Sequence, residues 1–258
     1  MAAPHDAFPG VAAAYVVQVD EYTPWGRRLA TPLPPASLTK LMTALLVDEA
    51  GAGDETLLTV SASAAAARGS RAGLRAGEQW AVTDLLTATL VASANDACLA
   101  LAQWLDGAEA AFVARMNRRA RELGLSGTQF RNACGHDAPG HRSTAADLLR
   151  LARAAMAREG IARRVRMAEA QVAAAGDQGR RLTLRSSNAL LGRYPGVRGV
   201  KTGFTARAGR CLVALAEREG VQAWVVLLDA RDRWWDAHAL LDRAFAWRRT
   251  VPDSAAAQ

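Results

Sequence analysis

The sequence has few cysteines, and its apolar runs are short. Three of its 258 residues are cysteines, which permits at most one disulfide, and Cys98, Cys134 and Cys211 show no metal-ligand spacing. The longest apolar stretches are broken by threonine or charge and fall short of the roughly 20 residues that cross a bilayer. No lysine or arginine precedes Arg27, so the N-terminus does not resemble a signal peptide. We therefore expect no transmembrane anchor, no signal peptide in this chain, no metal site and no cofactor.

Lysine is scarce as well. Of the 32 basic residues only Lys40 and Lys201 are lysines, and the others are arginines. An arginine cannot be deprotonated in a protein, whereas a buried lysine can. Each lysine is therefore a candidate for a catalytic base or for a compact positive charge that a guanidinium cannot replace.

The overall composition excludes a disordered chain. Hydrophobic residues make up 50% and charged residues 22% of the sequence, as in folded globular proteins. The net charge of +7 suggests an anionic partner such as nucleic acid, lipid or a wall polymer. The basic residues are scattered and lack aromatic interleaving, so no nucleic-acid partner is expected. A basic cell-wall-binding module remains the non-enzyme alternative.

The order of predicted elements favours a mixed sheet covered by helices, with a separate helical lobe. Because there is no internal repeat or low-complexity linker, we expect one domain with two lobes: a sheet lobe at about 1–60 and 169–250, and a helical lobe at about 61–168. Strands are predicted at 13–19, 171–174, 182–185, 210–216 and 222–229, and helices at 38–50, 82–104, 109–123, 144–158 and 234–248.

Ser37 and Lys40 form a Ser-x-x-Lys pattern at the predicted start of a helix. This spacing places both side chains on one helix face. The helix dipole and burial both disfavour an ammonium there, so Lys40 could accept the Ser37 proton. The alternative is that Ser37 is an ordinary N-cap.

Two further motifs strengthen the catalytic interpretation. Ser93 and Asn95 form Ser-x-Asn between helical stretches, and Lys201, Thr202 and Gly203 form Lys-Thr-Gly before the predicted hairpin. In this order the three motifs are the signature of penicillin-binding proteins and serine β-lactamases. Both lysines of the chain lie inside the signature.

The sequence most closely resembles the low-molecular-mass D-alanyl-D-alanine carboxypeptidases of the S11 serine peptidase family. The resemblance covers about residues 13–247 and is carried by residues 35–43, 93–98, 112–130 and 199–205. It implies a β-lactamase/transpeptidase-like fold, an antiparallel sheet flanked by helices plus an all-helical lobe. The family's C-terminal β-domain and amphipathic anchor have no counterpart in the sequence, so we expect a single D,D-peptidase catalytic domain.

The resemblance also implies a mechanism. Ser37 would attack the bond between two D-alanines of a peptidoglycan stem peptide, Lys40 would be the base, and β-lactam antibiotics would be covalent inhibitors. Ser93 would relay a proton, and Asn95 would orient Lys40. An extracytoplasmic, for example periplasmic, location is implied by the substrate.

The remaining roles that the resemblance implies concern substrate binding. Lys201 and Thr202 would bind the substrate carboxylate, Gly203 would leave room for an extended peptide, and the N–H groups of Ser37 and Phe204 would form the oxyanion hole. Arg233 either helps to bind that carboxylate or is a solvated surface charge.

Phe204 departs from the family pattern, because the best-known carboxypeptidases have histidine at this position. The segment 204–213 looks more like the family's D,D-endopeptidases. Endopeptidase action on cross-links is therefore the alternative activity.

Other enzyme classes fit less well. A class A β-lactamase needs a Glu-x-x-Leu-Asn pattern between Asn95 and Lys201, and the sequence has none. A histidine-based triad lacks its Gly-x-Ser-x-Gly elbow. Cys134, His136 and His141 make a poor zinc pattern, and we interpret their segment as a structured loop.

Overall fold

The computed structural model describes residues 4–53, 55–176 and 179–251. Its strands are β1 (Ala12–Val19), β2 (Tyr22–Arg27), β3 (Leu57–Thr59), β4 (Gln79–Ala81), β5 (Glu169–Ala173), β6 (Arg181–Arg185), β7 (Val197–Thr205), β8 (Gly209–Arg218) and β9 (Val221–Ala230). Its helices are a 3-10 turn (Ala36–Thr39), α1 (Lys40–Glu49), α2 (Ala62–Ala65), α3 (Val82–Val91), α4 (Asn95–Asp106), α5 (Glu109–Glu122), α6 (Ala145–Met156), α7 (Glu159–Val165) and α8 (Arg233–Thr250).

Five strands form an antiparallel sheet in the order β2-β1-β9-β8-β7. Its central strands are apolar on both faces because both faces are covered by helices. In β1, Val16 packs in the larger core on the side of the helical elements, whereas Tyr15 and Val17 pack in a second core beneath α8. This alternation follows the two-residue period of a strand. The predicted antiparallel sheet flanked by helices is confirmed, and among the residues that the structure describes no pair of strands within this sheet is parallel.

Strand β2 was not predicted from the sequence. It contains Pro24, which cannot donate a ladder hydrogen bond and so argues against a central strand. In the structure β2 lies at the edge of the sheet and pairs with β1, where proline is tolerated. Two further two-stranded sheets, β3-β4 and β5-β6, lie outside the main sheet.

The helix predicted at 82–104 is interrupted at the Ser-x-Asn motif. α3 ends at Val91, α4 begins at Asn95, and between them Ser93 adopts a left-handed backbone with φ of 57°. A residue other than glycine rarely adopts this conformation, which costs about 1 kcal/mol or more. The turn is stabilised from outside, because the Asn95 N–H donates to the Ser70 carbonyl at 2.8 Å.

Among the described residues, no single helix has the length and apolarity to cross a membrane. α4 and α5 meet the same length and composition limits only as a pair, and that pair is bent by 84°.

Candidate active site

Ser37 lies in the 3-10 turn that leads into α1. The residue before it, Ala36, is buried and has a left-handed backbone with φ of 49°. Lys40 follows one turn later, as the spacing predicted, and its Nζ lies 3.1 Å from the Ser37 Oγ. The two side chains are therefore within proton-transfer distance.

The Lys40 side chain is fully buried and has three polar neighbours. Its Nζ lies 2.7 Å from Oδ1 of Asn95 and 2.6 Å from the carbonyl oxygen of Cys134, in addition to the Ser37 hydroxyl. The amide and backbone oxygens can only accept hydrogen bonds. A neutral amine has two N–H groups, so donating to both of these oxygens leaves its lone pair for the Ser37 hydroxyl hydrogen. We call this set of contacts the Lys40 cage.

Electrostatics favour the neutral form of Lys40. Burial lowers its pKa well below the usual value of 10.5, and the nearby Lys201 lowers it further. Asp96 acts in the opposite direction. That carboxylate is buried and accepts hydrogen bonds from the N–H groups of Ala72, Gly73 and Leu74, which spread its charge over the 72–74 loop.

Ser93 and Asn95 extend from the break between α3 and α4 toward the two lysines. The Asn95 amide is fixed at both ends, because its Nδ2 donates to the Arg68 carbonyl at 2.6 Å while its Oδ1 accepts from Lys40. The Ser93 Oγ accepts from the Lys201 Nζ at 2.9 Å. The hydroxyl hydrogen of Ser93 therefore remains available to a substrate.

Lys201 lies on β7 and is almost fully buried. Burial, and next the guanidinium of Arg233, lower its pKa from 10.5 to about 7. Its neighbour Thr202 has its Oγ1 2.6 Å from the Ser187 Oγ. The sequence did not single out Ser187, because one exposed serine in a loop carries no pattern.

Gly203 and Arg233 shape the β7 side of the site. A Cβ atom on Gly203 would lie 3.0 Å from the Ala36 Cβ and 3.1 Å from the Ser37 nitrogen. The glycine therefore lets β7 pass close to the 3-10 turn. This packing requires a glycine even without a bound peptide, whereas the family resemblance explained Gly203 by the room that a peptide needs. Arg233 donates to the Gly203 carbonyl at 2.7 Å and stacks on Trp234. It belongs to the wall of the site and is not a free surface charge.

Phe204 follows on the same strand, and its side chain is 64% exposed. It is one of three large hydrophobic side chains exposed among the residues that the structure describes. Its exposure places an aromatic ring at the open side of β7, where a bound chain could contact it.

The loop at 131–140 closes the other side of the site. Asn132 accepts from the N–H groups of Gly135 and His136, and Asp137 accepts from the Thr205 hydroxyl at 2.7 Å. The loop thus connects the helical elements to the end of β7. The expectation of a structured loop here is confirmed, but the contact between the Cys134 carbonyl and Lys40 was not predicted.

Gly135 brings this loop against the backbone of Ala36 and Ser37. Its φ is +90°, and a Cβ atom there would clash with the Ala36 carbonyl and the Ser37 nitrogen. We expect Gly135→Ala to lower the free energy of unfolding by about 3 kcal/mol, from left-handed strain plus overpacking, and to slow acylation by moving the Ser37 N–H. Urea unfolding and acylation by a β-lactam measure both effects.

Gly140→Ala is the matched control for that prediction. Gly140 also has a positive φ, of +76°, but its Cβ would meet only the flexible Arg131 side chain, at 3.3 Å. The control carries the backbone strain without the clash at Ser37. Equal losses of stability and acylation in the two variants would contradict the assignment.

His141 fixes the 3-10 turn from behind. Its Nδ1 accepts from the Arg131 N–H at 3.0 Å, which leaves Nε2 protonated and 2.8 Å from the Thr39 Oγ1. Burial is the main reason that its pKa falls from 6.5 to about 4. Both ring nitrogens are therefore engaged by protein groups.

The low pKa of His141 predicts a specific loss of stability in acid. The unfolded chain binds a proton below pH 6.5, whereas the folded protein does so only near pH 4. The contribution is thus complete above pH 6.5 and is lost as the pH falls to 4, by about 3 kcal/mol in all. Urea unfolding at several pH values should show this loss in the native chain and not in His141→Gln. Identical acid dependence in both proteins would contradict it.

Cys98 and Cys134 form a disulfide, and Cys211 is a buried free thiol. Within the described ranges, no three or more histidine, cysteine, aspartate or glutamate side chains lie together as a metal site would require. Cys134 and His141, considered above as zinc ligands, are instead engaged in the disulfide and in the contacts to Thr39 and Arg131.

Comparison with known proteins identifies relatives of this chain. The family model for D-alanyl-D-alanine carboxypeptidase, peptidase S11, matches residues 26–232. The D-alanyl-D-alanine carboxypeptidase DacF of Bacillus subtilis is 36% identical over 227 residues, covering 85% of this chain. The chain spans 58% of that relative's length. A D-alanyl-D-alanine endopeptidase of Pseudomonas aeruginosa is 34% identical over 203 residues, which are 77% of this chain and 64% of the relative.

Solved structures agree on the fold. The crystal structure of the Streptomyces K15 DD-transpeptidase matches with a TM-score of 0.86 and 26% identity, over 92% of this chain and 98% of that one. The expected β-lactamase/transpeptidase-like fold and the expected family resemblance are both confirmed.

Proposed function

Because this chain belongs to the D-alanyl-D-alanine carboxypeptidase family, peptidase S11, we propose that it is a serine-type carboxypeptidase. Its substrate is the peptidoglycan stem pentapeptide, from which it removes the terminal D-alanine through an acyl-enzyme, and β-lactams inhibit it. The observation that carries this proposal is the Lys40 cage, in which a buried amine lies 3.1 Å from the Ser37 hydroxyl.

Acylation begins when the Ser37 Oγ attacks the carbonyl carbon between the two D-alanines. Its proton passes to the lone pair of Lys40, and the C–O bond to the enzyme forms. The negative charge on the substrate oxygen is stabilised by the N–H groups of Ser37 and Phe204. The proximity of Gly203 to the Ser37 nitrogen supports this position for the oxyanion.

The leaving group then needs a proton. The Ser93 Oγ accepts from Lys201, so its own hydrogen can be donated to the departing amine. The proton that Lys40 took from Ser37 then replaces the one that Ser93 gave up. The C–N bond breaks and D-alanine leaves. Water then attacks the acyl-enzyme, with Lys40 again as the base, and releases the shortened peptide.

Carboxylate recognition is assigned to β7 and α8. The terminal carboxylate of the substrate is attracted by Lys201 and accepts from Thr202, with Arg233 close by. The Arg233 Nε is buried and has no hydrogen-bond partner among the described residues. An anion bound there would satisfy it and would raise the pKa of Lys201 by adding a negative neighbour.

The proposed substrate implies that the protein acts outside the cytoplasm, on the cell wall. We also propose that the chain forms one catalytic unit. The larger core supports this, because it includes side chains from the sheet and from the helices, among them Val16 of β1, Leu41 of α1 and Leu101 of α4. A basic wall-binding module without activity does not explain why both lysines are buried around a serine.

Endopeptidase action on cross-links is the second candidate, favoured by one observation. Phe204 is 64% exposed and directly follows Gly203, which packs against the Ser37 backbone, so its ring can contact the second strand of a cross-linked dimer. Incubation with purified pentapeptide and with cross-linked dimers, followed by quantification of free D-alanine and of dimer cleavage, separates the two. Predominant D-alanine release supports the carboxypeptidase, and predominant dimer cleavage assigns the chain to the endopeptidase branch.

A further inference from the structure

The single disulfide joins two elements that each supply an acceptor to Lys40. Cys98 lies on α4 three residues after Asn95, whose Oδ1 is 2.7 Å from the Lys40 Nζ. Cys134 lies on the 131–140 loop, and its own carbonyl oxygen is 2.6 Å from the same nitrogen. The bridge therefore ties together the two acceptors of the Lys40 cage.

We propose that the Cys98–Cys134 disulfide is a positioning device that holds the Asn95 amide and the Cys134 carbonyl together around Lys40. The proposal rests on the proposed function in one respect, that Lys40 is the base for Ser37. Its geometric part concerns only which groups surround the lysine nitrogen.

Hydrogen bonds hold the backbone on both sides of the Cys134 carbonyl. The preceding residue is fixed, since the Ala133 N–H donates to Glu109 at 2.9 Å and its carbonyl accepts from Thr43 at 2.6 Å. The following residue, Gly135, is also held, since its N–H donates to the Asn132 side chain at 2.7 Å. These hydrogen bonds run to α1, to α5 and within the loop, whereas the disulfide links this segment covalently to α4, which carries Asn95.

The number of acceptors explains what the restraint does. Two oxygens occupy both N–H groups of a neutral amine and direct its lone pair at Ser37. Without the Cys134 carbonyl one N–H loses its partner, and the freed space admits water, which favours the charged form. The lysine then becomes a weaker acceptor for the serine proton at neutral pH.

Three charged or titratable groups face Lys40 from the elements around it. Asp96 lies on α4, Lys201 on β7 and His136 on the loop that carries Cys134. Only His136 moves with that loop. A change in the titration of Lys40 with no change in that of Lys201 therefore reports on the cage and not on the whole site.

The scarcity of lysine makes the test direct. Protein grown with lysine labelled by ¹³C at Cε gives two side-chain NMR signals, from Lys40 and Lys201, and Lys201→Arg assigns them. In the Cys98→Ala/Cys134→Ala double variant we expect the Lys40 titration midpoint to rise by about one pH unit or more, with the Lys201 midpoint unchanged. Leu240→Ala, in the separate core beneath α8, controls for lost stability and should shift neither signal.

A second measurement covers a double variant that does not fold. The native chain is treated with a water-soluble phosphine, which takes the oxygen of water to become a phosphine oxide and leaves two thiols. Free thiols rise from one to three, and the same Lys40 midpoint is recorded. An unchanged midpoint after the disulfide is lost, by either route, overturns the proposal.

The rate of acylation by benzylpenicillin against pH completes the test. The acid limb should move to higher pH in parallel with the Lys40 midpoint, a shift that a purely structural role would not produce. A native chain that is never acylated overturns the proposed function alone, because the NMR midpoint still decides whether the disulfide shapes the Lys40 cage.

Discussion

Replacing Lys40 by arginine is expected to slow acylation at Ser37 by about 10²- to 10⁴-fold, the contribution typical of a general base. A guanidinium cannot be deprotonated in a protein, so it has no lone pair for the serine proton. It is also larger and planar, and it would occupy a fully buried position with three neighbours placed for an amine. Stopped-flow acylation with a chromogenic β-lactam measures the rate.

Two controls separate this loss from misfolding. Lys40→Met keeps the length of the side chain without its charge, and should be as inactive as Lys40→Arg while remaining folded by circular dichroism. Arg153→Lys makes the reverse exchange on α6, where the guanidinium contacts Gln18 and Glu21. This control should leave acylation unaffected. Acylation of a folded Lys40→Met protein at the native rate would exclude Lys40 as the base.

Replacing Lys201 by methionine is expected to have the second largest effect. The change removes a buried positive charge, which the proposed mechanism assigns to attraction of the substrate carboxylate, and also removes the hydrogen bond to Ser93. Truncating one partner of such a charge pair typically costs about 2 to 5 kcal/mol, or about 30- to 5,000-fold in acylation efficiency. The same change raises the pKa of Lys40, because the Lys201 ammonium lowers it.

The efficiency of acylation should depend on pH through the charge of Lys201. In the free protein the pKa of Lys201 is about 7, so its charge is present below pH 7 and is lost above it. Acylation efficiency should therefore decline on the basic side of about pH 7, and on the acid side where Lys40 takes up a proton.

A folded Lys201→Arg variant keeps its charge and should lack the basic limb, while Lys201→Met should lack it at a lower overall rate. A basic limb that persists unchanged in Lys201→Arg would assign that titration to another group.

The three motifs were predictable from the sequence because each combines residue types that ordinary packing does not need together. Ser37 and Lys40 follow from helical spacing, and the two lysines stand out among 30 arginines. The sheet was predictable where strands are apolar on both faces, as in β8 and β9. Each of these patterns lies within a short segment of the chain, so it can be recognised in a single sequence.

The rest of the site depends on contacts that leave no pattern in one sequence. The Cys134 carbonyl belongs to the backbone, which every residue has, and its contact with Lys40 joins positions 94 residues apart. Ser187 is an ordinary loop serine until Thr202 lies 2.6 Å away. The disulfide was one of three possible pairings of the cysteines, and spacing alone does not choose among them.

The account depends most on Ser37 being the residue that is acylated. Intact-protein mass spectrometry after brief incubation with benzylpenicillin, followed by peptide mapping, tests this directly. The account predicts one adduct, on Ser37, that persists because the sequence lacks the glutamate motif with which class A β-lactamases activate water. A folded protein that forms no adduct, or forms one on another residue, would contradict the proposed mechanism.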